Sequence, residues 1–177
     1  YYTADEAKIV FVTNGGSGVN DMDGVTGEKI SDRAMPETSR TGYTFGGWYA
    51  NTGLTGDKVG ELPESYPAGT TTYYAAWAAN TDVSYIVHYY VDGTTRSIAA
   101  DKTETGKTFD VSYTETAVDV AGYTLVGDKT RTFTLDEEGK EITFYYTADE
   151  AKIVFVTNGG SGVNDMDGAT CENISDR

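Results

Sequence analysis

Asn20, Asp21, Asp23 and Glu28 bring four oxygen-bearing side chains close together in the chain, and Asp165 and Asp167 repeat the arrangement near its other end. Closely spaced carboxylates of this kind are what a hard cation such as Ca2+ takes as ligands. The spacing is not that of an EF-hand loop. With Gly24 at its sixth position, Val19 would stand first and Ile30 twelfth, and neither carries a side-chain oxygen. An irregular Ca2+ site on Asp21 and Asp23 and a solvated Asx turn both fit the pattern. No other metal or cofactor is given a place.

The remaining reactive side chains stand alone. His88 is the one histidine, in a strand-like run with no second His or Cys beside it, so a packed or surface histidine is expected rather than a ligand. Cys171 is the one cysteine, so no internal disulfide can form, and a related segment holds Gly27 at the same place. Neither G-x-S-x-G, H-E-x-x-H, a P-loop nor a dinucleotide fingerprint occurs. The expectation is that no reaction is catalysed and that there are no catalytic residues. A Lys–Asn isopeptide crosslink would need a buried Lys, Asn and acid; Lys8 lies on a strand, but the sequence does not place the other two.

The chain has 28 Asp and Glu against 13 Lys and Arg, a formal net charge of −15. Such a balance opposes binding to nucleic acid or to an anionic membrane surface and suits a solvated, self-repelling surface. No apolar run approaches the ~18 residues of a membrane-spanning segment. No signal peptide is visible, as expected of an internal piece of a longer protein.

Around these residues the sequence repeats itself. Residues 1–33 return as 145–177, Tyr1 against Tyr145, with differences only at Val25 and Ala169, Gly27 and Cys171, and Lys29 and Asn173. The offset is 144 residues, which reads as the period of a tandem array. Four segments follow: 1–6 as the end of a preceding repeat, 7–80 and 84–147 as two domains, and 148–177 as the opening of a further copy of the first.

Fourteen Tyr, 21 Gly and only 3 Pro, with many Thr and Val, give a β-rich composition. In the first domain residues 8–13 (KIVFVT) read as a strand closed by Asn14-Gly15-Gly16, and 19–26 as an Asp- and Gly-rich loop. Residues 42–50 read as an aromatic strand broken at Gly46-Gly47, 56–66 as one short helix, and 70–77 as the closing strand. In the second, 85–91 (YIVHYYV) is a strand ended by the Asp92-Gly93 turn, and 102–109 a polar connector. Residues 129–135 and 141–146 are predicted to form a hairpin across residues 136–139. Tyr43, Phe45, Trp48, Tyr74 and Trp77 are expected to supply core and rim. Alternatively, exposed Trp48, Tyr49 and Tyr73 would make a sugar-stacking platform.

Thr13–Gly16 (TNGG), the run GYTFGGWY at 42–49 and TYYAAW at 72–77 make the first domain resemble the Listeria–Bacteroides repeat, also called the internalin B-repeat. YIVHYYVDG, AGYTLVG at 121–127 and the closing TFYYT make the second domain similar to the mucin-binding-protein repeat. The resemblance implies tandem small β-grasp (ubiquitin-like) domains, α+β but β-rich, in an extended arrangement. It also implies a secreted, often wall-anchored bacterial cell-surface protein with no enzymatic activity. In a β-grasp fold the first and last strands lie side by side and parallel.

Two functions are therefore expected: a stalk, spacer or adhesin repeat, or a module binding mucin or another glycoprotein glycan. The partners implied are neighbouring repeats and other copies of the chain, with no nucleic acid and no membrane insertion. The last segment carries an apolar strand, Ile153, Val154, Phe155 and Val156, without the rest of its domain. Ordering 30 residues costs on the order of 45 kcal/mol, more than its few apolar side chains return at roughly 1.5–3 kcal/mol each. Strand exchange with another chain is the expected remedy, a head-to-tail contact giving rings or filaments.

Overall fold

The computed structural model describes Thr3 and residues 5–170. Cys171 and Asn173 lie outside the described residues. The chain divides between Thr81 and Asp82 into two compact units.

In the first unit, β1 (Glu6–Val12) alternates in burial, with Ala7, Ile9 and Phe11 facing inward. That period of two is the strand's own geometry. β1 pairs antiparallel with β2 (Met22–Val25) and parallel with β4 (Gly69–Ala79), which in turn pairs antiparallel with β3 (Tyr43–Tyr49). The sheet order is β2-β1-β4-β3. First and last strands thus lie side by side and parallel.

The Gly46-Gly47 break is a β-bulge: the register shifts between Phe45 and Gly47, and Gly47 sits at φ 109°. One extra residue reverses the alternation. Phe45 and Trp48, three apart, consequently reach the same face, with ring centroids 5.7 Å apart in an edge-to-face contact. Trp48 is 1 % exposed and packs with Ile9, Phe11, Leu62 and Ala75.

The predicted helix over residues 56–66 does not form, and among the described residues there is no helix. The fold is all-β rather than α+β, and the helix that a β-grasp unit lays on its sheet is missing. The reason is local. Gly56 sits at φ 82°, Gly60 and Pro63 interrupt the segment, and neighbouring backbone takes its amides instead. Val59 N donates to Trp48 O at 2.8 Å, Leu62 N to Arg33 O at 2.8 Å and Tyr66 N to Glu28 O at 2.9 Å. Leu62 and Tyr66 still reach the core, from an extended chain.

The second unit repeats the plan. β5 (Val83–Val91) and β10 (Lys140–Ala148) form a central parallel pair, flanked by β6 (Lys102–Lys107) and β8 (Tyr123–Val126), in the order β6-β5-β10-β8. The polar segment read as a connector is therefore an edge strand. The predicted hairpin of residues 129–135 with 141–146 is also corrected. β9 (Thr130–Thr134) pairs with β7 (Ser112–Thr116) as a separate two-stranded ribbon. The longer, more apolar β10 fits the centre of the sheet, buried through Ile142, Phe144 and Tyr146. The ribbon packs on that core through Phe133, whose ring meets Tyr85 edge-to-face at 5.0 Å.

One residue after β10, within the copied segment that starts at Tyr145, a further hairpin begins. β11 (Glu150–Ile153) and β12 (Met166–Ala169) pair antiparallel, Ile153 opposite Met166, in the register by which Ile9 faces Met22.

Candidate interaction surfaces

Asp21 and Asp23 are brought together by the β1–β2 pairing, but an ammonium already stands between them. Lys8 Nζ lies 3.0 Å from Asp21 Oδ2 and 3.8 Å from Asp23 Oδ1. The other Asp21 oxygen accepts from Phe11 N at 3.2 Å. The hydrogen bond to Lys8, then that to Phe11, holds the Asp21 carboxyl below its ordinary range, and the Lys8 ammonium is raised in turn. A cation would have to displace Lys8. Among the described residues, no cluster of three or more His, Cys, Asp or Glu is placed to hold a metal. In the second copy Lys152 meets Asp165 at 2.9 Å, and Phe155 N donates to Asp165 Oδ1 at 3.3 Å. This lock is a property of the hairpin, independent of the surrounding sheet. Lys8 is half-exposed and ion-paired, so it is not the buried lysine that an isopeptide bond requires.

The aromatic residues separate by environment. Trp48 and Tyr73 are core, 1 % and 7 % exposed, and Trp48 Nε1 donates to Pro36 O at 2.9 Å. Their faces are spent on packing, which removes them as glycan contacts. Tyr49, next in sequence to Trp48, is half-buried on the other side of its strand. The TNGG turn has a structural role. Asn14 (φ 49°) and Gly15 (φ 89°) turn the chain so that Asn14 Nδ2 donates to Ala75 O at 2.7 Å, and Trp77 Nε1 donates to Thr13 O at 2.8 Å. Two motifs far apart in sequence thereby lock the first and last strands of the unit.

In the second unit the outward face of β5 and β10 sets Tyr90 opposite Tyr145. His88 stacks on Tyr90, ring centroids 5.2 Å apart. Its Nδ1 is 3.0 Å from Asp101 Oδ2, but without hydrogen-bond alignment, and Nε2 is 3.9 Å from Glu141 Oε2. The lone histidine is a packed residue between two carboxylates.

Sequence reasoning missed Glu115, which is buried at 5 % exposure among aromatic side chains. Tyr85 donates its hydroxyl to Glu115 Oε1 at 2.6 Å, and Lys102 Nζ reaches both carboxylate oxygens at 2.9 and 3.0 Å. Lys102 also pairs with Glu104 at 2.9 Å, and Glu104 with Lys107 at 2.7 Å. Burial, then the bond to Glu115, pushes the Tyr85 hydroxyl well above its ordinary range. A carboxylate with this many donors is a structural anchor for the β7–β9 ribbon. Nothing in the run SYTET signals it.

The last surface is apolar. Ile153, Val154, Phe155 and Val156 are 42, 60, 43 and 77 % exposed. Ile9 and Phe11, the counterparts of Ile153 and Phe155, are 0 and 7 % exposed. What differs is the parallel neighbour: β1 runs beside β4 from Ala7 opposite Gly69 to Val12 opposite Tyr74, and among the described residues β11 pairs only with β12.

A chain with two four-stranded sheets, each closed within its own unit, and the opening hairpin of the first copied after the second, is a tandem-repeat β protein. Residues 8–76, within the first unit, match the family model of the Listeria-Bacteroides repeat domain. Among solved structures, the chain is similar to a crystal structure of Mub-RV, at 17 % identity over 82 % of this chain and 99 % of that one, TM-score 0.28. It is also similar to the type 2 repeat of the mucus binding protein MUB from Lactobacillus reuteri, at 16 % identity over 82 % and 100 %, TM-score 0.29. No curated protein matches the chain.

Proposed function

We propose that this chain is a non-enzymatic repeat segment of an extracellular bacterial surface protein, serving as a stalk or adhesin spacer. The observation that carries this reading is the near-identical recurrence of residues 1–33 after 144 residues, together with two units that each close their own sheet. Repeats of this kind interact chiefly with their sequence neighbours, which suits a part whose job is to set length. The motif-level likeness of the second unit to mucin-binding-protein repeats supports the surface assignment. Surface plasmon resonance against immobilised mucin tests it: a spacer gives no saturable response.

The glycan-binding reading rests on one feature, the outward Tyr90–Tyr145 pair beside His88. Saturable mucin binding that Tyr90→Ala and Tyr145→Ala abolish would establish it in place of the spacer.

The spacer reading includes self-association through Ile153, Val154, Phe155 and Val156, which fit beside a β4-type strand of a second copy as Ile9–Val12 do within the first unit. Burying four such side chains returns roughly 6–12 kcal/mol at 1.5–3 kcal/mol each. Association itself costs on the order of 4–15 kcal/mol, and the incoming strand displaces one of nearly the same sequence. The exchange is thus weak and concentration-dependent. Sedimentation at high concentration, with and without residues 148–177, tests it: a full chain that stays monomeric rules it out.

A further inference from the structure

We infer that the β8 edge of the second domain is a docking surface for the opening hairpin of a first-type domain, and that Gly122, Thr124, Asp149 and Thr170 make the junction a stiff joint. β10 ends at Ala148 and β11 starts at Glu150, so Asp149 alone connects the two domains. A single residue would still be a hinge if it were free. Asp149 is held at three points. Its N–H donates to Gly122 O at 2.9 Å, its Oδ1 accepts from Thr124 Oγ1 at 2.6 Å, and its carbonyl accepts from Thr170 N at 2.9 Å.

Gly122 has a steric part in this. It sits at φ 80°, and a methyl group there would overlap the Thr170 methyl, so the absent side chain is the space into which the hairpin settles. With its methyl against Gly122, Thr170 turns its hydroxyl to donate to Asp149 O at 3.2 Å.

The first unit supplies an internal comparison. Asp5 and Thr26 are the counterparts of Asp149 and Thr170, and Thr26 N donates to Asp5 O at 2.8 Å. The knuckle is therefore built into every copy of the hairpin. The Thr26 hydroxyl, however, is buried without a hydrogen-bond partner. Gly122, just before β8, and Thr124 within it are what the second domain adds. The partner that fits the Asp5–Thr26 surface is accordingly a second-type domain presenting a Gly-x-Thr edge.

The test uses the full chain with Cys171→Gly, the residue of the first copy, and spin labels on cysteines placed at exposed Asp128 and Ser161. A stiff joint gives one narrow distance distribution between them. Thr124→Val with Thr170→Ala should broaden it while leaving the second domain's melting temperature unchanged. Amide exchange at Asp149 and Thr170 gives an independent readout, expected to quicken by about tenfold or more in the same variant. A broad distribution in the parent, or a variant unchanged by both measurements, would overturn the inference. Gly122→Ala keeps the test open if the double variant fails to fold. It should displace the distribution by steric overlap alone, and an unmoved distribution there counts equally against the joint.

Discussion

Truncating Ile9 and Ile153 to alanine makes one chemical change in two copies of one sequence, and the structure requires different outcomes. Ile9 is fully buried, between the antiparallel neighbour Met22 and the parallel neighbour Thr71, over a core of Phe11, Trp48 and Leu62. Ile→Ala at such a site loses both transfer free energy and packing, about 2–5 kcal/mol. Ile153 is 42 % exposed with no parallel neighbour among the described residues, so the same change should cost less than about 0.5 kcal/mol. For a domain of this size a loss of about 3 kcal/mol lowers the melting temperature by roughly 12–24 °C. The assay is selective by construction, because both tryptophans, Trp48 and Trp77, belong to the first unit. Their fluorescence during thermal or urea unfolding reports that unit alone. Ile9→Ala should shift that transition strongly, whereas Ile153→Ala, followed by the circular dichroism of the whole chain because Ile153 lies in the other unit, should move no transition. Equal shifts would refute the argument from burial. A shift with Ile153→Ala that grows with protein concentration would place the hairpin in the sheet of another copy.

Trp77→Phe keeps an aromatic ring, though a smaller one, and removes the donor to Thr13 O; it should cost the first unit about 1 kcal/mol or more, read as a lower urea midpoint. Glu115→Ala strands the Tyr85 hydroxyl and removes a carboxylate from Lys102; a loss of about 2–4 kcal/mol is expected in the second unit, followed by tyrosine near-ultraviolet circular dichroism. Lys107 and then Lys102 hold Glu104 below its ordinary value of 4.5. Its contribution should be complete above pH 4.5 and disappear as pH falls through the lowered folded value, whereas Glu104→Gln should flatten that acid limb. Adding millimolar Ca2+ should leave the melting of the first unit unchanged, because Lys8 occupies the space between Asp21 and Asp23; a rise in melting temperature that Asp21→Asn removes would show a cation site instead.

What sequence alone determined was local or repetitive. The 144-residue recurrence is a matter of identity and needs no coordinates. The central strands announce themselves by alternation, and the Gly46-Gly47 break falls where the bulge forms, since only glycine enters the φ that Gly47 adopts. The TNGG turn and the Lys–Asp lock arise twice from the same residues, in the intact unit and in the hairpin of β11 and β12, because both are contained within one hairpin. Tertiary structure decided everything that depends on which strand lies alongside. Residues 56–66 read as a short helix, but their amides find carbonyls of distant strands. Residues 130–134 precede β10 in sequence yet pair with β7, and Glu115 becomes buried only because β5 and β6 bring Tyr85 and Lys102 to it. The two copies of KIVFV express the same division. Their hairpin register is encoded in the segment itself, but burial of Ile9 and exposure of Ile153 are set by a parallel neighbour from elsewhere in the chain, present for one copy and absent for the other among the described residues.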